Sequence, residues 1–204
     1  MTAWPFGTLR PLSYSVVYLD PAWKFEVWSG DKVRDLKGNR SAERHYETMT
    51  IDEIAAMPVG HLLRGDGVLF MWILDTHMEH ALALIRRWGL VYKKIGFIWV
   101  KLGRTTNLPV MSTGYWTRNG AEVCLMATTG APNRLDAGVP QVLHAARREH
   151  SRKPEQVAAA IERLVPGPYC ELFARRRRPG WDCWGNEVSK FDEKDVEAQS
   201  PPAG

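Results

Sequence analysis

The chain has 204 residues, 45% of them hydrophobic and 25% charged, with a formal net charge of +4. This length suits one hydrophobic core, and the balance is that of a globular domain, not of a disordered or fibrous chain. No apolar run reaches the roughly 20 residues of a membrane-spanning helix, and the opening MTAWPFGTLRPLSY lacks the cationic-then-apolar pattern of a secretory leader.

Tyr14–Asp20 (YSVVYLD) is a β-branched apolar run stopped by Pro21 and reads as a buried strand. Residues 23–49 are polar, with glycines and many charges, and read as a long loop of the kind that is usually functional. Thr50-Ile-Asp-Glu53 is a capping box that opens a short helix to about Met57, ended by Pro58. Gly67–Ile73 is a second strand. Asp75 or Thr76 then caps a helix whose apolar face is Met78, Ala81, Leu82, Ile85 and Trp88, with Gly89 as its stop. Val91–Lys101 and Ala121–Thr128 read as strands separated by the loop 102–120, and Gln141–Ala145 as a short one. Pro154 opens a helix with Val157, Ile161 and Leu164 on its buried face, ended by Pro166-Gly-Pro168. Tyr169–Ala174 is the last strand, and residues 191–204 have the composition of a disordered tail.

Strands alternating with helices predict an α/β fold with a mostly parallel sheet and helices on both faces. Ligands of such sheets bind at the carboxyl ends of strands, which singles out Asp20-Pro-Ala-Trp23 and Phe173-Ala-Arg175. The three cysteines, Cys124, Cys170 and Cys183, match no zinc spacing, and their odd number argues against a disulfide framework. They read as buried thiols of a cytoplasmic, metal-free protein without membrane attachment.

Charge is unevenly placed. Residues 147–178 hold nine basic and four acidic residues, a strip that suits either a polyanion ligand or a solvated surface. Of nine tryptophans, Trp23, Trp28, Trp116, Trp181 and Trp184 fall in stretches that read as loops. Aromatics beside basic residues suit base stacking.

Asp-Pro-x-aromatic at a strand end is compatible with a plain turn, but it also has a chemical use. To methylate an exocyclic amine on a base, the nitrogen lone pair must be drawn out of the ring. The Asp20 carboxylate and the Pro21 carbonyl can each accept one N–H of that amine, proline holds its own carbonyl in place, and Trp23 can stack on the ring. Rate enhancement then comes chiefly from alignment, up to roughly 7–11 kcal/mol, together with electrostatics at the amine.

The chain resembles the MT-A70 family of adenine methyltransferases, whose signature is Asp-Pro-Pro-Trp. The resemblance runs in order through Ser41-Ala-Glu-Arg-His-Tyr46, Thr48-Met-Thr50, the GVLFMWI strand and Ile98-Trp-Val-Lys101. It continues through Thr113-Gly-Tyr-Trp116 to Glu122, then Arg148–Pro154, Glu171–Arg175 and Pro179–Glu187, and covers roughly residues 5–190. It implies a Rossmann-like class I methyltransferase domain over 1–190, with the catalytic motif preceding the cofactor motif and S-adenosylmethionine as methyl donor. Carried across by position, the catalytic residues are Asp20, Pro21 and Trp23. Asp20, Lys153, Glu171, Arg175, Asn186 and Glu187 face the donor, with Glu171 near Lys153 and placed to orient it. Tyr46, Glu122, Lys101, Arg176 and Arg177 lie on the target side, where the four-arginine run departs from the family pattern and makes phosphate contact as good a reading as ribose contact. Loops 23–49 and 102–120 form the target-recognition surface. Ala22 stands where the second proline is usual, which frees the loop while keeping all three catalytic groups. The activity implied is methyl transfer to N(6) of adenine in DNA, with base flipping. The alternatives are the same chemistry on RNA, or a catalytically weak nucleic-acid-binding partner subunit.

Overall fold

The computed structural model describes residues 4–23, 48–112, 114, 116–148 and 152–192. The predicted loop 23–49 therefore lies almost wholly outside the described residues, as does the tail beyond Asp192. Among the described residues seven strands form one sheet: β1 Tyr14–Leu19, β2 Leu63–Ile73, β3 Val91–Leu102, β4 Ala121–Thr128, β5 Val142–Ala146, β6 Tyr169–Leu172 and β7 Trp181–Trp184, in the order β5-β3-β4-β2-β1-β6-β7. Parallel pairing joins β1 to β2 and to β6, β6 to β7, and β3 to β5. The exception is β4, antiparallel to both β2 and β3. The helical crossover after β2 carries β3 one strand beyond its neighbour position, and β4 turns back into the gap.

Helix α1, Ile51–Ala56, opens with Thr50 and Glu53 each accepting the other's backbone N–H, the reciprocal cap legible in the sequence. Helix α2, Met78–Arg87, is preceded by a 3-10 turn at Asp75–His77, so neither Asp75 nor Thr76 caps it. Its stop is Gly89, at φ +78°. Helix α3 spans Glu155–Leu164. Side chains alternate along β1 and β2 to feed two cores. Val17, Leu19, Leu69 and Met71 pack with Ile54 of α1 and Ala81, Leu84 and Ile85 of α2. Val16, Tyr18, Phe70 and Trp72 pack with Val157, Ala158 and Ile161 of α3 on the other face. No helix among the described residues is long and apolar enough to cross a membrane.

Three features depart from the sequence reading. β2 starts at Leu63, ahead of Gly67, because a register shift opposite Tyr14–Val16 admits the exposed Arg64-Gly-Asp66 into the strand and breaks its alternation. Trp181 and Trp184 are not loop residues but the ends of β7. Trp181 is buried, stacked on Tyr169 at 4.7 Å between ring centroids, with its indole N–H donated to Glu162. The packed chain also continues past Lys190: Phe191 is buried beneath the Arg152 guanidinium, and its N–H donates to the Arg175 carbonyl.

The parallel strands and the reversed β4 bring chemistry to one sheet edge. Strands β1, β6, β7 and β3 finish there, and β4 begins there, so Asp20, Arg175, Asn186, Lys101 and Glu122 share that edge. Directly behind it lies the buried Trp72, whose indole N–H donates to the Tyr18 hydroxyl at 2.7 Å. Tyr18→Phe leaves that buried donor without an acceptor. The variant should lose about 1–3 kcal/mol of stability, read as a lowered urea midpoint at unchanged slope. An unshifted midpoint would remove the hydroxyl from this role.

Candidate active site

Asp20 follows the last residue of β1, and its Oδ2 accepts from Lys153 Nζ at 2.7 Å. Lys153 also reaches Glu122 Oε2 at 3.0 Å, and Glu122 Oε1 lies 2.6 Å from Lys101 Nζ. Four sequence-predicted residues, from β3, β4, the end of β1 and the loop before α3, thus form one line of alternating charge, Asp20–Lys153–Glu122–Lys101. Lys153 is held 5.4 Å above the Trp72 ring. Burial alone would lower the Lys153 pKa, but Asp20 and Glu122 outweigh it and raise the value above that of an ordinary lysine. Glu122 is the mirror case: burial would raise it, and Lys153 with Lys101 holds it below the usual carboxylate range. Glu122 and Lys101, expected on the target side, are the far half of the network that fixes Asp20.

The tetrapeptide is rigid despite Ala22. The Trp23 N–H donates to the Pro21 carbonyl at 2.8 Å, the Met49 N–H donates to the Ala22 carbonyl at 2.8 Å, and the Trp23 indole N–H reaches the Trp72 carbonyl at 3.4 Å. These bonds restrain the backbone that a second proline would have stiffened. They also correct the role given to Trp23. It is 4% exposed, packed in the core beside His77, and anchors the turn instead of offering an open stacking face.

Asp20 and Ala22 sit on the wall of a cavity of about 560 Å³ whose other side is Phe173, Arg175, Asn186 and Glu187, a volume typical of small-molecule sites. Phe173 stands at φ +58°, a left-handed conformation costly for a bulky residue and often found at functional sites. The turn bends the chain so that the Ala174 N–H donates to the Trp184 carbonyl. A side chain at Gly185 would put its Cβ 2.9 Å from the Ala174 backbone N and O, which is why the facing loop carries glycine there. Arg175 Nε and Glu187 Oε2 are 3.5 Å apart across this closure. A narrow cleft continues from Asp20 past Lys153 and Arg152 to Glu171.

Glu171 does not orient Lys153. Its ion-pair partner is Arg178, at 3.5 Å, and one of its carboxylate oxygens is buried without a hydrogen bond. Burial therefore lifts its pKa to about 7, even though Arg178 pulls the other way. The arginine run, which by charge suits either a polyanion ligand or a solvated surface, is distributed over acidic partners. Arg176 and Arg178 each lie 2.6 Å from Glu155 Oε2, and Arg148 lies 2.6 Å from Oε1. Arg177 is exposed and meets Asp192 at 3.3 Å. Glu155 was missed by sequence reasoning. A first-turn glutamate after proline reads as a helix start, and its partners stand up to 23 residues away. Tyr46, expected on the target side, lies outside the described residues.

The model of the MT-A70 family matches residues 14–187. The type II methyltransferase M.MunI of a Mycoplasma species is 30% identical over 200 residues, covering 90% of this chain and 81% of the relative. The Drosophila melanogaster N(6)-adenosine-methyltransferase MT-A70-like protein is 32% identical over 86% of this chain, and the human N(6)-adenosine-methyltransferase catalytic subunit METTL3 is 31% identical over the same share. The chain spans little more than a quarter of the length of these two.

The burial of Glu171 has a measurable sign. Its folded pKa of about 7 lies above the ordinary 4.5, so the folded protein keeps a proton that the unfolded chain releases between those values. The associated stability is full below about pH 4.5 and is lost as pH rises through about 7. Glu171→Gln should therefore gain on the wild type between pH 5 and pH 8, on the order of 2 kcal/mol or a few degrees of Tm. A difference in Tm that stays flat with pH would refute the shift.

Proposed function

The chain belongs to the MT-A70 family of adenine N(6)-methyltransferases, and from that premise we propose that it methylates N(6) of adenine in DNA, using S-adenosylmethionine, on a base turned out of the helix. The observation that carries this reading is the Asp20 carboxylate, oriented by Lys153 on the wall of the cavity that Phe173, Asn186 and Glu187 close.

The donor fits the residues present. The cavity pairs the aromatic face of Phe173 with carboxylates at Asp20 and Glu187 and an amide at Asn186. Those groups suit, respectively, an apolar sulfur-bearing chain, a cationic sulfonium with ribose hydroxyls, and the edge of an adenine ring. Lys153, which lines the narrower cleft that shares Asp20 with the cavity, would hold the carboxylate of the donor's amino-acid end, and Arg175 pairs with Glu187. When bound, S-adenosylmethionine supplies an electrophilic methyl group on positively charged sulfur.

The chain's own part is to present the amine. Lys153 takes Asp20 Oδ2, leaving Oδ1 to accept one N–H of the target amine. The Pro21 carbonyl gives one lone pair to the Trp23 N–H and has a second for the other N–H. Two fixed acceptors that draw the N–H bonds out of the ring plane make the nitrogen pyramidal and free its lone pair for the methyl group. The extra proton left on nitrogen after transfer departs through the hydrogen bond to Asp20. DNA is favoured because the relative whose length this chain nearly spans is a type II methyltransferase.

The test is incubation with labelled S-adenosylmethionine and unmethylated DNA or RNA, followed by digestion and mass spectrometry of the nucleosides. N(6)-methyl-2′-deoxyadenosine is expected. Methylated adenosine from RNA alone would move the substrate, and no incorporation on either polymer would remove the activity. Asp20→Ala should reduce kcat by about 10²-fold or more. Lys153→Met should weaken donor binding about tenfold while the protein stays folded, as judged by its melting transition.

A further inference from the structure

The connection between β3 and β4, residues 103–120, is not a slack loop at its base. Gly103 N–H donates to the Leu108 carbonyl, Val110 N–H to Lys101, Ser112 N–H to Asn119 and Lys101 N–H to Gly120, all at 2.7–2.9 Å. The Arg104 Nε–H ties the base to the Arg147 carbonyl. The stem thus rises directly from Lys101 and beside Glu122, the two residues that end the charge line from Asp20.

Its outer part presents a different surface. Leu108, Met111 and Trp116 are 66%, 79% and 91% exposed, and Trp116 stands at φ +64°, a left-handed conformation that a bulky residue adopts only when its surroundings impose it. Arg118 follows two residues after Trp116, Arg104 stands at the base of the connection, and the segment contains no acidic residue. The apolar run Leu108-Pro-Val-Met111 ends at Ser112, whereas Trp116 stands apart from it in the sequence, between Gly114 and Thr117. That combination suits a polyanion that also offers flat aromatic faces, which is a nucleic acid.

We propose that the described residues of the 103–120 connection form an inserting arm, with Trp116 entering the base stack of duplex DNA beside the adenine turned toward Asp20, while Arg104 and Arg118 contact the flanking phosphates. This rests on the function proposed above and adds the residue that fills the vacated place. An indole in the gap replaces the stacking that the extruded base gives up, which makes extrusion cheaper in a duplex and matters less on a strand already single.

The test compares the wild type with Trp116→Ala and Trp116→Phe in the full chain. On bulk unmethylated duplex DNA, Trp116→Ala should lose about tenfold or more in affinity and in kcat/KM, the scale of removing one aromatic stacking platform. The loss should be smaller on single-stranded DNA, and Trp116→Phe should restore most of it. Quenching of indole emission on adding DNA should shrink in Trp116→Phe. S-adenosylmethionine affinity and Tm should not move. Equal duplex affinity and turnover in wild type and Trp116→Ala would overturn the proposal, as would an equal loss on both kinds of strand. So would a wild type that self-associates in sedimentation and a Trp116→Ala that is monomeric with DNA binding intact, which would assign the tip to a second copy of the chain. A wild type that binds DNA but methylates no polymer would defeat the enzymatic reading alone, since the binding comparison would still judge the arm.

Discussion

Everything at the sheet edge depends on a half-buried line of four charges, Asp20–Lys153–Glu122–Lys101, linked by contacts of 2.7, 3.0 and 2.6 Å. Two carboxylates and two ammonium groups cancel, so the line carries no net charge into the low dielectric; Asp20 and Glu122 keep Lys153 charged, and Lys153 with Lys101 keeps Glu122 charged. Such a line contributes little to net stability, because desolvation offsets most of the Coulomb attraction. What it does is fix direction. An isolated aspartate at the end of β1 would sample several rotamers, whereas one tied to a lysine that is itself tied elsewhere presents a single free oxygen to the cavity.

A second polar centre governs the other side of the cleft. Glu155 gathers Arg148, Arg176 and Arg178 from the segments on either side of α3. The three cations outweigh it, and they hold its pKa below the usual carboxylate range against the opposing effect of burial. The basic composition of 147–178 is therefore largely internal scaffolding, with the exposed Arg177 paired to Asp192. Counting charges along the sequence measured how many cations are present, but not how many are already engaged.

Local signals were readable because their physics is local. The Thr50–Glu53 cap, the Gly89 stop and the bounds of β4 depend on residues within a few positions of each other. Family resemblance nominated the residues of the candidate site but said nothing of their pairing. Asp20 and Lys153 are 133 residues apart, and nothing in their spacing says that Glu122 joins them while Glu171 does not. Trp23 and Trp181 show the same limit. Each sits among turn-forming residues, so composition placed them in loops, while their burial is decided by Trp72 in one case and by Tyr169 and Glu162 in the other.

The reversed strand β4 has a further effect on how such a molecule can change over evolutionary time. Its return path leaves and re-enters the sheet on neighbouring strands, Lys101 and Gly120 being joined by a backbone hydrogen bond. Both ends of residues 103–120 are clamped, and the closure entropy of a clamped segment grows only slowly with its length. The segment is an exchangeable cassette: it can be lengthened, shortened or replaced wholesale, while the edge it springs from keeps its charges in register.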